Sequence, residues 1–302
     1  MTPGQLAAAV ATAGVTPTPR SMLPAPGDSV GTEAATTLGA AHDVMRTLAD
    51  PAGRLTVVLP ASGRAGRAAP SVYWSDLAGP YVLVVETEAG LELETLSTLN
   101  DLALWLDRTL LLTALPAATT DQQVPVSIAG YAALLGVVDA FEEARLRRHL
   151  DRSAAGAEPI TVRDVAASLA AGLTTDHPGW AVSAARAVCP ADLAAAERDL
   201  STGIDDLVRA GVVHRKGDEL AVTTAGAGLV ASLSRPIQTV GIARAASAAD
   251  STIGVAHVTV HRGVAGIWLA LWTALGDDAG CTLVECSAAR AATTLVGLVR
   301  AS

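Results

Sequence analysis

The stretch LVASLSRPIQTVGIA, Leu229 to Ala243, decides how this chain is read, because VMRTLADPAGRLTVVL, Val44 to Leu59, has the same plan. In each, an amphipathic helix closes on Leu-x-x-Pro and runs into a β-branched segment. Proline cannot continue a helix and fixes its own φ for the turn or extended chain that follows, so the junction has a physical cause. Two such junctions in one chain raise the question of an internal repeat.

Outward from the first copy, GTEAATTLGAAHDVMRTLAD reads as a helix capped by Thr32 or Thr36, RLTVVLP as a strand, and ASGRAGRAAP as a loop. SVYWSDL, YVLVVETE and LELETL then read as antiparallel strands joined by turns at Ala78–Pro80 and Ala89–Gly90. The closing helix LSTLNDLALWLDRTLLLTAL places Leu99, Leu102, Leu106 and Leu110 on one face.

Outward from the second copy the order returns: helix GAGLVASLS, strands IQTVGIA and TIGVAHVTVH, the apolar run GIWLALWTAL, turn GDDAG, strand CTLVE and closing helix SAARAATTLVGLVRA. Leu91 and Leu93 in one copy correspond to Cys281 and Leu283 in the other. The fold expected is α+β: two pseudo-twofold-related halves with antiparallel sheets and a helical, winged-helix-like middle. Either half alone would bare a sheet face or edge, and pairing about a twofold axis would bury it.

The expected divisions are a Pro-rich arm over 1–30, a first half over 31–117, the helical middle over 118–224 and a second half over 225–302. In the middle, IAGYAALLGVVDAFEEARLRRHLDRS is one long helix with Glu142–Arg145 and Glu143–Arg147 spaced to pair. Thr161 and Asp164 are set as a capping box. PADLAAAERDLSTGIDDLVRAGVV continues as helix, and VVHRK and ELAVTT form a two-stranded wing turned at Lys216–Asp218.

The composition is globular: half the residues are hydrophobic, yet only 3% are aromatic, so Ala, Val and Leu must build the core. A net charge of −9 repels phosphate backbones and anionic lipid at long range. Residues 161–220 hold six basic against nine acidic residues, a net of −3, so no nucleic acid is expected despite the wing. Three cysteines without C-x-x-C spacing point to neither a disulfide framework nor a metal site, and a reduced cytoplasm fits them. The first Arg comes only at Arg20, which argues against a signal peptide. VAGIWLALWTAL, Val264 to Leu275, is well short of the ~20 residues that span a bilayer, so it reads as a buried strand pair and no membrane insertion is expected.

Motifs for catalysis are missing: no phosphate loop, G-x-S-x-G elbow, H-E-x-x-H or dinucleotide fingerprint is present. Asp205 and Asp206 are adjacent on a helix and diverge by about 100°. His257 and His261 share a strand face but lie too far apart to ligate one ion unaided. The expectation is a non-enzyme with no cofactor and no catalytic or metal residues. RLRRH, Arg145 to His149, reads as a solvated helix face. The loop Ser62–Pro70 stands out, with Arg64 and Arg67 on a Gly/Ala background and Tyr73 and Trp74 just beyond it. As a partner-binding element it would offer two cations and two aromatic anchors.

The passage DDLVRAGVVHRKGDELAVTTAGAGLVASLSRPIQTVGIA and the LADPAGRLTVV junction resemble the EspG-type chaperones of actinobacterial type VII (ESX) secretion systems. The resemblance covers most of the chain from about residue 30 and is one of pattern. It implies two α+β halves in quasi-twofold relation with helical bundles between and beside them. The function it implies is cytosolic and non-catalytic: holding the apolar tip of a helical secretion substrate, such as a PE–PPE pair. The family's long inter-strand loop would correspond to Ser62–Pro70. The Pro-rich arm and the wing-ended middle depart from the pattern. They leave open an assembly adaptor of another large complex, an acidic winged-helix regulator, and a homodimer. A basic stripe on the helix from Ala191 to Arg209 would favour the regulator, and an apolar groove between the sheet halves would favour the chaperone.

Overall fold

The computed structural model describes residues 42–59, 69–88, 90–110, 112, 121–150, 159–175, 180–234, 236–247, 253–273 and 280–300. The arm over 1–30, the caps Thr32 and Thr36, and Arg64 and Arg67 lie outside them.

The first half runs α1 (His42–Ala49), β1 (Gly53–Val58), β2 (Ser71–Trp74), β3 (Tyr81–Thr87), β4 (Gly90–Leu96) and α2 (Leu99–Leu110). The second half repeats the order with α8 (Thr224–Leu233), β9 (Pro236–Ser247), β10 (Ile253–Gly263), β11 (Ile267–Trp272), β12 (Gly280–Cys286) and α9 (Ala288–Arg300). Between them stand β5 (Gln123–Ser127), α3 (Ile128–Leu150), β6 (Ile160–Thr161), α4 (Val162–Thr174), α5 (Ala181–Arg186), α6 (Leu193–Glu197), α7 (Leu200–Arg209), β7 (Val213–Lys216) and β8 (Glu219–Val222).

The halves share one antiparallel nine-stranded sheet, ordered β4-β3-β2-β1-β9-β10-β11-β12-β5. Its centre is β1 against β9, and there Val57 stands directly opposite Ile242. Pro51 and Pro236 of the two Leu-x-x-Pro junctions are separated along the chain by the same number of residues as Val57 and Ile242. The sequence repeat and the sheet's twofold therefore coincide. The halves meet by ladder hydrogen bonds along an edge, so no groove parts them at β1–β9.

One face of the sheet is covered from both sides of the twofold by α2 and α9. Leu102, Leu106 and Leu110 of α2 and Ala291, Leu295 and Val299 of α9 enter one core with Leu55, Val57, Val240 and Ile242. The caps obey the same symmetry. The Thr98 hydroxyl accepts from Asp101 N and the Ser287 hydroxyl from Arg290 N, and in each helix the first buried residue comes four positions after the cap. On the opposite face α1 packs Val44, Met45 and Leu48 over Tyr73 and Val82 of the first half. The middle segment covers the second half.

That middle is built on α3, which from Tyr131 to Ala140 is buried all round because all its residues but Asp139 are apolar or small. It packs against α4, α7 and α8 and the inner face of β12. The expected Glu142–Arg145 and Glu143–Arg147 pairs are present at 2.5 and 2.6 Å, and Thr161 and Asp164 form the capping box. The wing is there too: β7 and β8 pair across a turn with Gly217 at φ 63, and β6 adds to β8 as a third strand.

Three local readings change. The described part of Val264–Leu275, residues 264–273, holds one strand, β11, entered through a bend in which Gly263 N bonds Gly266 O, where a strand pair had been read. Residues 191–209 form two helices, α6 and α7, because Asp199 interrupts the run with non-helical φ. Residues 123–127, read with the helical middle, are the strand β5 on the edge of the second half. Pro125 within it suits an edge strand, which needs no donor on its outer side.

Candidate functional site

The residues singled out in the sequence are placed as follows. Tyr73 and Trp74 are 2% and 3% exposed. Consecutive strand residues point to opposite faces, so Tyr73 lies under α1 and Trp74 lies over Gly53 on the α2/α9 side. A Cβ on Gly53 would sit 2.2 Å from the Trp74 ring, so the indole fills the place of the missing side chain. Burial raises the Tyr73 hydroxyl's pKa, and the Arg54 charge beside it works the other way. As placed, both rings are core and offer almost no surface as anchors. Arg64 and Arg67 lie in the connection that leaves β1 after Val58 and returns at Ser71.

The junction between the middle and the sheet is polar at its centre. Tyr131 Oη and His261 Nε2 are 2.7 Å apart, both fully enclosed. The Trp272 ring meets Tyr131 edge-on at 4.9 Å and gives its Nε1–H to Thr259 Oγ1. Burial depresses the His261 pKa to about 4, so the imidazole is neutral at neutral pH. His257, four residues back along β10, places Nε2 3.1 Å from the Val188 carbonyl oxygen. The two histidines therefore serve separate contacts and share no ion.

A second buried group holds the module's own geometry. Asp139 on α3 accepts from the backbone N–H groups of Ala181 and Val182 at 2.7 and 3.0 Å, capping α5 from a neighbouring helix. Burial raises its pKa to about 6, against the pull of those two hydrogen bonds.

The described cavity is a cleft of about 610 Å³ where β5 and β12 meet the end of α7, lined by Pro125, Val126, Ser127, Asp206, Arg209 and Cys281. Its one carboxylate is already engaged. Asp206 accepts from the Ser127 hydroxyl and from Arg209 Nη1. Burial works to raise the Asp206 pKa, but these bonds outweigh it and hold the group below the usual range. The Ser127 hydroxyl in turn accepts from Gly130 N at 3.0 Å and caps α3. The arrangement is a helix-start brace, with no carboxylate left over for proton transfer.

The exposed charges from Ala191 to Arg209 are Asp192, Asp199 and Asp205 against Arg198 and Arg209, and Arg209 pairs with Asp206. No basic stripe is formed there. Among the described residues the large apolar side chains most exposed on one strand face are Ile253 and Val255 of β10, at 64% and 65%. The sequence did not single them out, since an exposed and a buried β-branched strand residue read alike. No helix among the described residues is long and apolar enough to cross a membrane.

No known family matches the chain, and no curated protein matches it. One solved structure, the Mycobacterium tuberculosis type VII secretion system chaperone EspG5 in complex with a PE25–PPE41 dimer, is similar over 90% of this chain and 79% of its own. The identity is 12% and the TM-score 0.43.

Proposed function

We propose that this protein is a cytosolic, non-catalytic chaperone or adaptor that binds a helical secreted partner of the PE–PPE kind. The observation that carries the reading is the repeat: the two junctions that carry the sequence resemblance fall symmetrically about the Val57–Ile242 pair, in two α+β halves flanking a helical middle. That is the architecture the resemblance implies. Ile253 and Val255 support it as an apolar surface on the sheet that could meet an apolar helix tip, and the shortage of exposed base on α6 and α7 weighs against the regulator. The loop Ser62–Pro70, with Arg64 and Arg67, is assigned a partner-contacting role in the same reading.

The test is affinity purification of the tagged protein from its native cells at moderate salt, with the bound species identified by mass spectrometry. Recovery of a small, helix-rich, secreted protein pair, lost from an Ile253→Ser/Val255→Ser variant that folds normally, is the expected result. Recovery of DNA, or of the protein alone, overturns the reading.

A further inference from the structure

Trp74 and Arg262 occupy the same place in the two halves. Trp74 stands opposite Gly53 of β1 and Tyr81 of β3; Arg262 stands opposite Gln238 of β9 and Ile267 of β11. Gly53 and Gln238 are themselves equivalent, each the second residue after the junction proline. In the first half the position holds a neutral ring. In the second it holds a guanidinium on a residue only 7% exposed, whose Nε has no hydrogen-bond partner. No described carboxylate pairs with it.

Such a group is expensive. A buried donor left without a partner is destabilising, whereas the same site in the other half shows that the sheet accepts an apolar side chain there. Gln238, the polar residue directly beside it, already gives its amide N–H to the Thr109 carbonyl at the end of α2. That helix end adds at most a partial negative charge nearby. The bend Gly263–Gly266 beside Arg262 opens to solvent, since Val264 within it is 63% exposed. Arginine's planar fork of donors matches a carboxylate or phosphate and nothing neutral so well.

We propose that Arg262 anchors an oxyanion site at the β10–β11 bend, which takes one carboxylate or one phosphate group onto the guanidinium. The site is distinct from the surface assigned to the secreted partner and does not depend on that assignment.

Thermal unfolding of the full chain tests it, with sodium acetate in one arm and inorganic phosphate in the other, each against chloride at matched ionic strength. Arg262→Met is the variant; it removes a buried unpartnered donor and is expected to fold. A saturable rise in Tm in at least one arm, absent from Arg262→Met, is the expected result, and the arm that responds identifies the group. Arg262→Lys, which keeps the charge but loses the fork, is expected to weaken the apparent affinity on the order of tenfold, the worth of one charged hydrogen bond. A rise of equal size in wild type and Arg262→Met is general salt stabilisation and overturns the proposal. So does no rise in either arm.

Discussion

Asp139 shows how one carboxylate sets both local geometry and pH response. Its two backbone acceptor contacts fix the start of α5 against α3, and nearly complete burial raises its pKa to about 6 from an ordinary 3.8. A carboxyl whose folded pKa lies above its unfolded value favours the folded state most when protonated. Its contribution is fully present below the unfolded value and is lost as pH rises through about 6. A shift of this size is worth about 3 kcal/mol. Urea midpoints of wild type are therefore expected to gain, relative to Asp139→Asn, as pH falls from 7 to 5; parallel profiles would show that the carboxyl is not perturbed. Tyr131 makes a complementary case. Tyr131→Phe leaves His261 Nε2 buried without its partner, and an expected loss of about 1–3 kcal/mol is measurable by the same titration. Neither pair was legible in the sequence. Asp139 reads as one polar residue in an apolar helix, and its partners lie forty residues on, whereas the Thr161–Asp164 box was legible because both members sit within one turn.

At the level of elements, close approaches decide which helices can meet. Gly203 on α7 faces α3 so tightly that a Cβ would stand 2.2 Å from the Ala129 carbonyl oxygen. Alanine is the better helix former by roughly 0.5–1 kcal/mol, yet the clash is with backbone that cannot rotate away. Gly203→Ala is expected to destabilise by a net of about 1–3 kcal/mol, read as a lower urea midpoint; a gain in stability would mean that α7 can lift from α3 without cost. The helix face, the wing and the turns at Gly79 and Gly90 were readable because their causes are local: periodicity, capping and positive φ. The strand β5 was not. Val124 and Val126 do alternate with exposed neighbours, but five residues interrupted by Pro125 are too short a signal to read, and their pairing with β12 is a matter of tertiary placement. The burial of Tyr73 and Trp74 was not legible for the same reason, since it depends on how α1 packs over the sheet and on the space over Gly53.

Across the whole molecule the twofold makes each half structurally dependent on the other. The end of α2 in the first half receives a hydrogen bond from Gln238 in the second, and Tyr81 in the first half feels the charge of Arg300 at the end of α9. The first half made alone, residues 31–117, is expected to associate and to lack a cooperative transition, because β1 would present a bare edge. A monomeric, sharply unfolding fragment in size-exclusion chromatography and circular dichroism would contradict this. The β1–β9 ladder has a further consequence in time. Synthesis proceeds from the N-terminus at about 5–20 residues per second, so the strand GRLTVV leaves the ribosome roughly ten to forty seconds before its partner exists. For that interval the nascent chain carries a β-branched edge that any neighbouring chain could extend, and the charge of Arg54 is the one feature within the strand that opposes such pairing.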